Sequence, residues 1–203
     1  MSVKRVEALE IVAGPTSDLP VVVTCAASSR ELAAVAGGPN HLYLLDAMGL
    51  AGSVATGLAL ALADTPVRRV VAVEGDGSLL MNPNVLPTGG YLRPEKLLMV
   101  LLDNGVYGAT ADLPTYAGRV DLGGLAEAAG WTVRRAGDPD GLRTELAGAL
   151  ADEGPVLLHV RIVPGNAAGV PKLLEDPVVL GRRFQDWLAA QTGEASAGRE
   201  GAR

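Results

Sequence analysis

Two short segments combine oxygen-bearing side chains with glycines, and each directly follows an apolar run. The first is Gly-Asp-Gly-Ser at positions 75–78, after the apolar run 70–73. The second is Asp-Asn-Gly at 103–105, after the apolar run 97–102. Carboxylate and carboxamide oxygens are the ligands that a hard cation such as Mg2+ selects, and glycines let a backbone come close to a phosphate. The two motifs together predict a site for a Mg2+-bound phosphate group.

In this interpretation Asp76 supplies a carboxylate oxygen to the cation, and Asn104 supplies its amide oxygen. Gly77 and Ser78 begin the next helix, whose backbone amides would point at the phosphate. A single Gly-Asp-Gly is weak support, because a turn at the end of a strand explains it equally well. Two such motifs, with the 26 residues 78–103 between Gly77 and Asn104, are considerably more specific.

Strand-like and helix-like segments alternate along the chain. This alternation predicts an α/β fold with an open, doubly wound parallel sheet and helices on both faces. Strands are predicted at 19–25, 42–45, 68–74, 97–102, 131–136 and 155–163. Helices are predicted at 3–12, 30–36, 49–63, 79–92, 122–129, 142–151 and 177–190. We expect a single domain over residues 1–192 and a disordered tail over residues 193–203.

Ser28 and Ser29 follow the first predicted strand, and ligands in such sheets bind beyond the carboxyl ends of the strands. The two hydroxyls form either a second anion site or an ordinary helix N-cap, and the sequence favours neither. Arg30 either binds an acidic group of a substrate or pairs with a carboxylate, and the pairing is the favoured interpretation. Because the serines, Asp76 and Asn104 all lie at strand ends, we expect them to converge on one place.

Composition argues against several classes of function. The formal net charge of −6 makes nucleic acid an unexpected partner, and no segment has the apolar length of a membrane span. Cys25 is the only cysteine, so an intrachain disulfide is excluded, which suits a cytoplasmic protein. His41 and His159 are the only histidines. Neither has an evident partner, so we interpret both as structural rather than as zinc ligands or catalytic bases.

These segments resemble the diphosphate-binding domain of thiamine diphosphate (ThDP) decarboxylases. The resemblance is strongest to the β subunit of sulfopyruvate decarboxylase and the matching half of phosphonopyruvate decarboxylase, and it covers about residues 21–188. It rests on Ser-Arg-Glu at 29–31, Met-Gly at 48–49, Gly-Asp-Gly-Ser-x-x-Met at 75–81 and Leu-Asp-Asn-x-x-Tyr-Gly at 102–108. It implies ThDP and Mg2+ as cofactors.

The resemblance also implies roles for individual residues. Asp76, Asn104 and the backbone carbonyl of Val106 would hold Mg2+. Met48 would be the apolar wedge that bends the cofactor, and the carbonyl of Asp46 would accept a hydrogen bond from its aminopyrimidine ring. The implied cofactor contacts are Ser28, Ser29, Asp46, Met48, Gly75, Asp76, Gly77, Ser78, Asn104, Val106, Tyr107 and Gly108.

Four positions depart from the family pattern. Ala47 and Ala109 stand where the family has hydroxyl residues, so contacts with an anionic group of the substrate are expected to differ. Pro83 and Pro87 fall where the family has a regular helix. Because a proline inside a helix costs about 3 kcal/mol, we expect a kinked or delayed helix after Ser78.

The resemblance further implies that half of an enzyme is encoded elsewhere. In these enzymes a glutamate beside the pyrimidine ring activates the cofactor, and it lies on a second domain that we do not expect in 203 residues. No catalytic residue is therefore assigned to this chain. A separate pyrimidine-binding α subunit is expected, in an α2β2 assembly. The implied reaction is decarboxylation of a small 2-oxo acid to CO2 and an aldehyde; the alternatives are a carboligase subunit and a non-catalytic ThDP-binding module.

Overall fold

Strands and helices alternate in the structure, a computed structural model that describes residues 2–193. The strands are β1 (Val21–Val23), β2 (His41–Tyr43), β3 (Val70–Gly75), β4 (Leu97–Asp103), β5 (Val106–Tyr107), β6 (Leu113–Pro114), β7 (Thr132–Ala136) and β8 (Val156–Arg161). The helices are α1 (Arg5–Ala13), α2 (Ala27–Ala36), α3 (Ala51–Ala61), α4 (Asp76–Leu79), α5 (Val85–Leu92), α6 (Leu122–Ala128), α7 (Pro139–Ala151) and α8 (Pro177–Thr192).

Six of these strands form one parallel sheet in the order β2-β1-β3-β4-β8-β7. The other two, β5 and β6, pair as a short antiparallel hairpin. The chain leaves β1 toward one edge of the sheet, forms β2, and then returns past β1 to form β3. The direction of winding therefore reverses between β1 and β3, and open sheets bind their ligands beyond the carboxyl ends of the strands at such a reversal.

Both faces of the sheet are buried under helices, which confirms the prediction of a doubly wound α/β fold. On one face Val100 and Leu158 pack in a cluster with side chains of α1, α2 and α7. On the other face Ala72 and Met99 pack with side chains of α3, α5 and α6. Because both faces are covered, the central strands are apolar along their whole length, and every residue of β4 is buried.

The helix predicted at 79–92 is divided into two helices. The first, α4, ends at Leu79, and α5 begins at Val85, beyond Pro83. Pro87 lies in the first turn of α5, where backbone N–H groups have no intrahelical partner, so a proline is tolerated there. The expectation of a kinked or delayed helix is confirmed. The β5–β6 hairpin was not predicted, because two-residue strands leave no periodic pattern.

The C-terminal helix α8 ends at Thr192, and Gly193 follows it in the left-handed conformation with φ 78°. The rest of the tail predicted to be disordered, residues 194–203, lies outside the described residues. Between residues 2 and 193, no helix combines the length and the apolar character needed to cross a membrane.

Two helical glycines give opposite predictions about packing. A Cβ on Gly90 in α5 would lie 1.7 Å from the carbonyl oxygen of Ala129 at the end of α6. Gly90→Ala therefore overpacks this contact and lowers the free energy of unfolding by about 1–3 kcal/mol. A Cβ on Gly57 in α3 meets nothing within 4 Å, so Gly57→Ala raises it by about 0.5–1 kcal/mol. Urea unfolding measures both changes. Equal effects would contradict the close α5–α6 contact.

Candidate active site

A cavity of about 270 Å³ opens at the carboxyl ends of β1, β3 and β4. It lies at the reversal of winding between β1 and β3, where the topology predicts a ligand site. All but two of the predicted contact residues line it. Those in the lining are Ser28, Met48, Gly75, Asp76, Gly77, Ser78, Asn104, Val106, Tyr107 and Gly108.

The two predicted residues outside the lining are Ser29 and Asp46. The hydroxyl of Ser29 is buried and donates to the backbone carbonyl of Thr24 at 2.5 Å, so it stabilises the start of α2. Ser28 does line the cavity. The contact expected of Asp46 is through its backbone carbonyl, and it stays a prediction. Of the serine pair, therefore, the structure presents only Ser28 to a ligand.

Asp76 is the first residue of α4 and is almost completely buried, with 2% of its surface exposed. Its Oδ2 accepts a hydrogen bond from Thr115 Oγ1 at 2.6 Å, and its Oδ1 lies 3.4 Å from the donating amide of Asn104. Burial raises the pKa of Asp76, the Thr115 bond opposes that rise, and the nearby charge of Asp103 adds to it. A cation bound to this carboxylate would offset both effects that raise its pKa.

Asn104 shapes the loop that follows β4. Its Oδ1 accepts from the amide of Val106 at 3.0 Å, and Gly105 between them has a φ of 72°, the left-handed region that favours glycine. Val106 lies opposite Pro114 in the β5–β6 register. Because proline has no N–H group, Pro114 cannot donate to the Val106 carbonyl. The loop thus brings Asn104 and Val106 to the wall of the cavity that Asp76 also lines.

This set of oxygen donors suits Mg2+ carried by a diphosphate. Over residues 2–193, no group of three or more His, Cys, Asp and Glu side chains could hold a metal ion. A cation at Asp76 would therefore complete its coordination with the amide oxygen, the backbone carbonyl and oxygens of a bound ligand. Mg2+ is typically held in this way, by one or two carboxylates together with substrate phosphates.

Gly77 is required by a close contact. A Cβ at this position would lie 2.5 Å from Cε1 of Tyr107 and 3.4 Å from the methyl group of Thr115. The ring of Tyr107 therefore packs directly on the backbone of α4. Gly77 is therefore needed for this packing, and the approach of a phosphate to it stays a prediction.

Ser78 fixes the loop that carries Met48. Its Oγ accepts from the amide of Gly49 at 2.7 Å and lies 2.9 Å from Oγ1 of Thr24. Asn82 also holds this loop, since its side-chain amide donates to the Gly49 carbonyl at 3.0 Å. Met48 is thereby held in the wall of the cavity. Thr24 and Asn82 were not predicted, because no local motif marks them.

Glu74 supports the same loop from behind the cavity. Its side chain is 1% exposed, and its Oε2 accepts from the amide of Gly52, the second residue of α3, at 3.3 Å. Burial raises the pKa of Glu74, against hydrogen bonds from Ser78 and Thr24 that lower it. The end of β3 is thus linked to the start of α3.

Both histidines have partners, so the expectation that they had none is wrong. Nε2 of His159 lies 2.7 Å from Oδ2 of Asp103, which Arg161 also contacts. Burial alone would raise the pKa of Asp103, but these two partners outweigh it and lower the pKa. Nδ1 of His41 lies 3.0 Å from the Tyr43 hydroxyl, and burial lowers the pKa of His41 to about 4. Neither histidine lines the cavity.

Arg30 also differs from its favoured interpretation. It lines the cavity, and no ion pair joins it to a carboxylate among residues 2–193. The ion pair at this position is made by its neighbour Glu31, which is bonded to Arg5. The favoured interpretation, that Arg30 pairs with a carboxylate, is therefore wrong for the described residues.

The family model for the thiamine pyrophosphate enzyme, C-terminal TPP binding domain, matches residues 28–160. The chain belongs to this family. The match contains the Asp76 and Asn104 motifs, and the cofactor that the family's description names, thiamine pyrophosphate, is ThDP. Most of the residues that line the cavity at the ends of β1, β3 and β4 lie within the matched segment.

Two curated relatives are similar over nearly the whole chain. The sulfopyruvate decarboxylase subunit beta of Methanothermobacter thermautotrophicus is 41% identical over 184 residues, which cover 91% of this chain and 95% of that protein. The phosphonopyruvate decarboxylase of Streptomyces hygroscopicus is 40% identical over 209 residues, which cover 98% of this chain and 51% of that protein. The chain thus spans almost all of the first relative and about half of the second.

Solved structures of ThDP enzymes share the fold. The 4-hydroxybenzoylformate decarboxylase of Rhodococcus jostii RHA1 superposes with a TM-score of 0.67 and 21% identity, over 82% of this chain and 34% of that chain. A thiamin diphosphate-dependent enzyme of Mycobacterium smegmatis gives a TM-score of 0.66 and 24% identity, over 81% of this chain and 32% of that one. At these identities the likeness supports the fold alone.

Thr115 gives a direct test of the site. Thr115→Val keeps the side-chain size and removes the hydrogen bond to Asp76. Since a hydrogen bond to a charged group contributes about 1.5–3 kcal/mol, we expect the Kd for ThDP with Mg2+ to rise about 10- to 100-fold. Thr115→Ser keeps the hydroxyl and should bind as the wild type does. Isothermal titration calorimetry measures this Kd for the wild type and for both variants. Unchanged binding by the valine variant would contradict the role of this hydrogen bond.

Proposed function

We propose that this chain is the diphosphate- and Mg2+-binding subunit of a two-chain, ThDP-dependent 2-oxo acid decarboxylase that releases CO2 and an aldehyde. One observation carries the proposal: the buried carboxylate of Asp76 lies in a cavity with Asn104 and Val106. The chain that forms this cavity matches a sulfopyruvate decarboxylase subunit beta over 95% of that subunit's length. The substrate proposed is a small 2-oxo acid of the sulfopyruvate or phosphonopyruvate kind.

In the proposed enzyme, the residues of this chain bind the cofactor and orient it. Asp76, Asn104 and the Val106 carbonyl would hold Mg2+ on the diphosphate, and Ser28 would contact the same group. Met48, held by the Ser78 loop, would support the cofactor's bent shape. When bound, ThDP supplies the carbon nucleophile and the electron sink that decarboxylation needs. The protein contributes position and electrostatics around it.

A second subunit completes the proposed site. Asp76 is the one acidic side chain that lines the cavity in the described part of the chain, and in this proposal it binds the metal. The glutamate that activates the cofactor would therefore come from a pyrimidine-binding α subunit. The match to half of the Streptomyces protein supports this division, because the other half there continues the same chain. We propose an α2β2 assembly. We also propose a cytoplasmic location, because a single cysteine suits a cytoplasmic protein.

Carboligation is the second candidate function. Ala109 lines the cavity, and Ala47 lies next to Met48, which also lines it. At both positions the family pattern expected from the sequence has a residue with a hydroxyl group. The loss of these hydroxyls changes the polar contacts open to a substrate. Carboligation would consume the same 2-oxo acid and also release CO2, but the remaining carbon would bond to the carbonyl carbon of a second substrate and give an acyloin in place of the aldehyde.

The function is tested with the complex from its own host. The chain is tagged and purified with whatever it binds, and CO2 release from sulfopyruvate, phosphonopyruvate and pyruvate is measured with ThDP and Mg2+. We expect a second small subunit in the preparation and CO2 with an aldehyde from one anionic acid. Acyloin formation would move the assignment to a carboligase, and ThDP binding without turnover of any oxo acid would contradict the decarboxylase.

The metal site makes a separate prediction for the same complex. Asp76→Ala removes the carboxylate, so Mg2+-dependent ThDP binding and CO2 release should both be lost. Asp140→Ala is the matched control, because Asp140 is 97% exposed on α7 and should change neither. Calorimetry and the CO2 assay give the two readouts. Full binding and activity of the Asp76 variant would contradict the assignment.

A further inference from the structure

Among the residues that the structure describes, three charged side chains line the proposed ThDP cavity: Arg5, Arg30 and Asp76. Asp76 belongs to the metal site. The two arginines have no role in the contacts derived above, although they place two positive charges in the wall of a cavity on a chain whose formal net charge is −6. Their surroundings decide which of them is available to a ligand.

Arg5 is committed to the protein. It is 7% exposed, and its Nη1 donates to Oε1 of Glu31 at 3.1 Å and to Oδ1 of Asn166 at 2.9 Å. Glu31 is 2% exposed and accepts a further bond from the amide of Ala167 at 3.0 Å. Arg5 and Glu31 thus form a buried, mutually neutralised pair that ties α1 to α2.

Arg30 is not neutralised in this way. It is half-buried in the first turns of α2, and no carboxylate among residues 2–193 lies within ion-pair distance of it. The adjacent acid, Glu31, is already bonded to Arg5 and the backbone. Arg30 is therefore the cation in the cavity wall whose charge no described residue balances, and the N-terminal end of α2 adds positive potential beside it.

The diphosphate does not need Arg30. In the proposed site its charge is met by Mg2+, and Ser28 lies in the wall to contact it. A fixed guanidinium beyond this set suits a further tetrahedral oxyanion, because arginine binds sulfonate and phosphonate oxygens with two parallel hydrogen bonds. The segment Gly108–Thr110, which also lines the cavity, has no positive charge to offer.

We propose that Arg30 binds the distal sulfonate or phosphonate of the substrate and so selects dianionic 2-oxo acids over pyruvate. This inference rests on the proposed function. It assigns the specificity to this chain rather than to the pyrimidine-binding partner. Arg5 does not serve this selection, because it is bonded to Glu31 and Asn166.

The test uses Arg30→Gln and Arg30→Lys in the assembled, ThDP-loaded complex, with Arg68→Gln as a control because Arg68 is 68% exposed and distant from the cavity lining. For the acid that is turned over, we expect Arg30→Gln to lower kcat/KM about 10- to 100-fold, as for loss of a charge-assisted hydrogen bond. The kcat/KM for pyruvate should change less than about threefold; if pyruvate is only a competitive inhibitor, the same holds for its inhibition constant. The Kd for ThDP should also change less than about threefold. Arg30→Lys should recover part of the loss, and Arg68→Gln should match the wild type.

A binding measurement keeps this inference separate from the proposed function. The loaded complex is titrated with 3-sulfopropanoate, which has no oxo group to react, and with propanoate. We expect the sulfonate to bind the wild type more tightly and Arg30→Gln to abolish that preference, whether or not any oxo acid is turned over. Three results for Arg30→Gln would each overturn the assignment of Arg30: an equal loss of affinity for 3-sulfopropanoate and propanoate, a loss of affinity for ThDP alone, or no change in any affinity. A wild type that retains the preference but decarboxylates nothing would contradict the proposed function alone.

Discussion

The site depends on keeping one carboxylate ionised where almost no water reaches it. Asp76 follows the central strand β3 as the first residue of α4 and is 2% exposed, and burial together with the charge of Asp103 raises its pKa. The Thr115 hydroxyl and the Asn104 amide partly compensate by bonding to its two oxygens. A bound cation would complete the compensation. The same desolvation that raises the pKa would strengthen the attraction between this carboxylate and a cation.

Around Asp76, neighbouring strands supply separate layers of support. The end of β4 places Asp103 between His159 and Arg161, which keeps this second buried carboxylate balanced and the Asn104 loop in place. Helix α4, which directly follows β3, holds the Met48 loop through Ser78. Because β1, β3 and β4 are adjacent in the sheet, these contacts reach the cavity from several directions, and a ligand there meets preorganised oxygens.

The sequence predicted the architecture well because the strands of a doubly covered sheet are continuous apolar runs. Most of the site was also predicted, since Asp76 and Asn104 follow such runs directly. Residues that act through long-range contacts were not predicted. Thr115 lies 39 positions from its partner Asp76, and no local pattern joins them. His159 is 56 positions from Asp103, so its role followed only from the pairing of β4 with β8.

The sequence also did not show which of two neighbouring side chains makes a given contact. The sequence presents Ser28 and Ser29 as equivalent, but the helix geometry turns Ser29 to the Thr24 carbonyl and leaves Ser28 in the cavity. In the same way Glu31 is adjacent to Arg30 but bonds to Arg5, which comes from α1. Such choices depend on where a helix begins and which face it buries, and a few residues of uncertainty in a predicted boundary are enough to reverse them.

The central claim is that the cation is held jointly by Asp76, Asn104, the Val106 carbonyl and a diphosphate, because residues 2–193 hold no group of three or more His, Cys, Asp and Glu side chains that could bind it. Electron paramagnetic resonance of the assembled complex, with Mn2+ in place of Mg2+, tests it directly. The account predicts about one tightly bound Mn2+ per chain when ThDP is present and weak binding when it is absent. Equally tight Mn2+ binding without ThDP, or ThDP binding that persists unchanged after the metal is chelated, would contradict it.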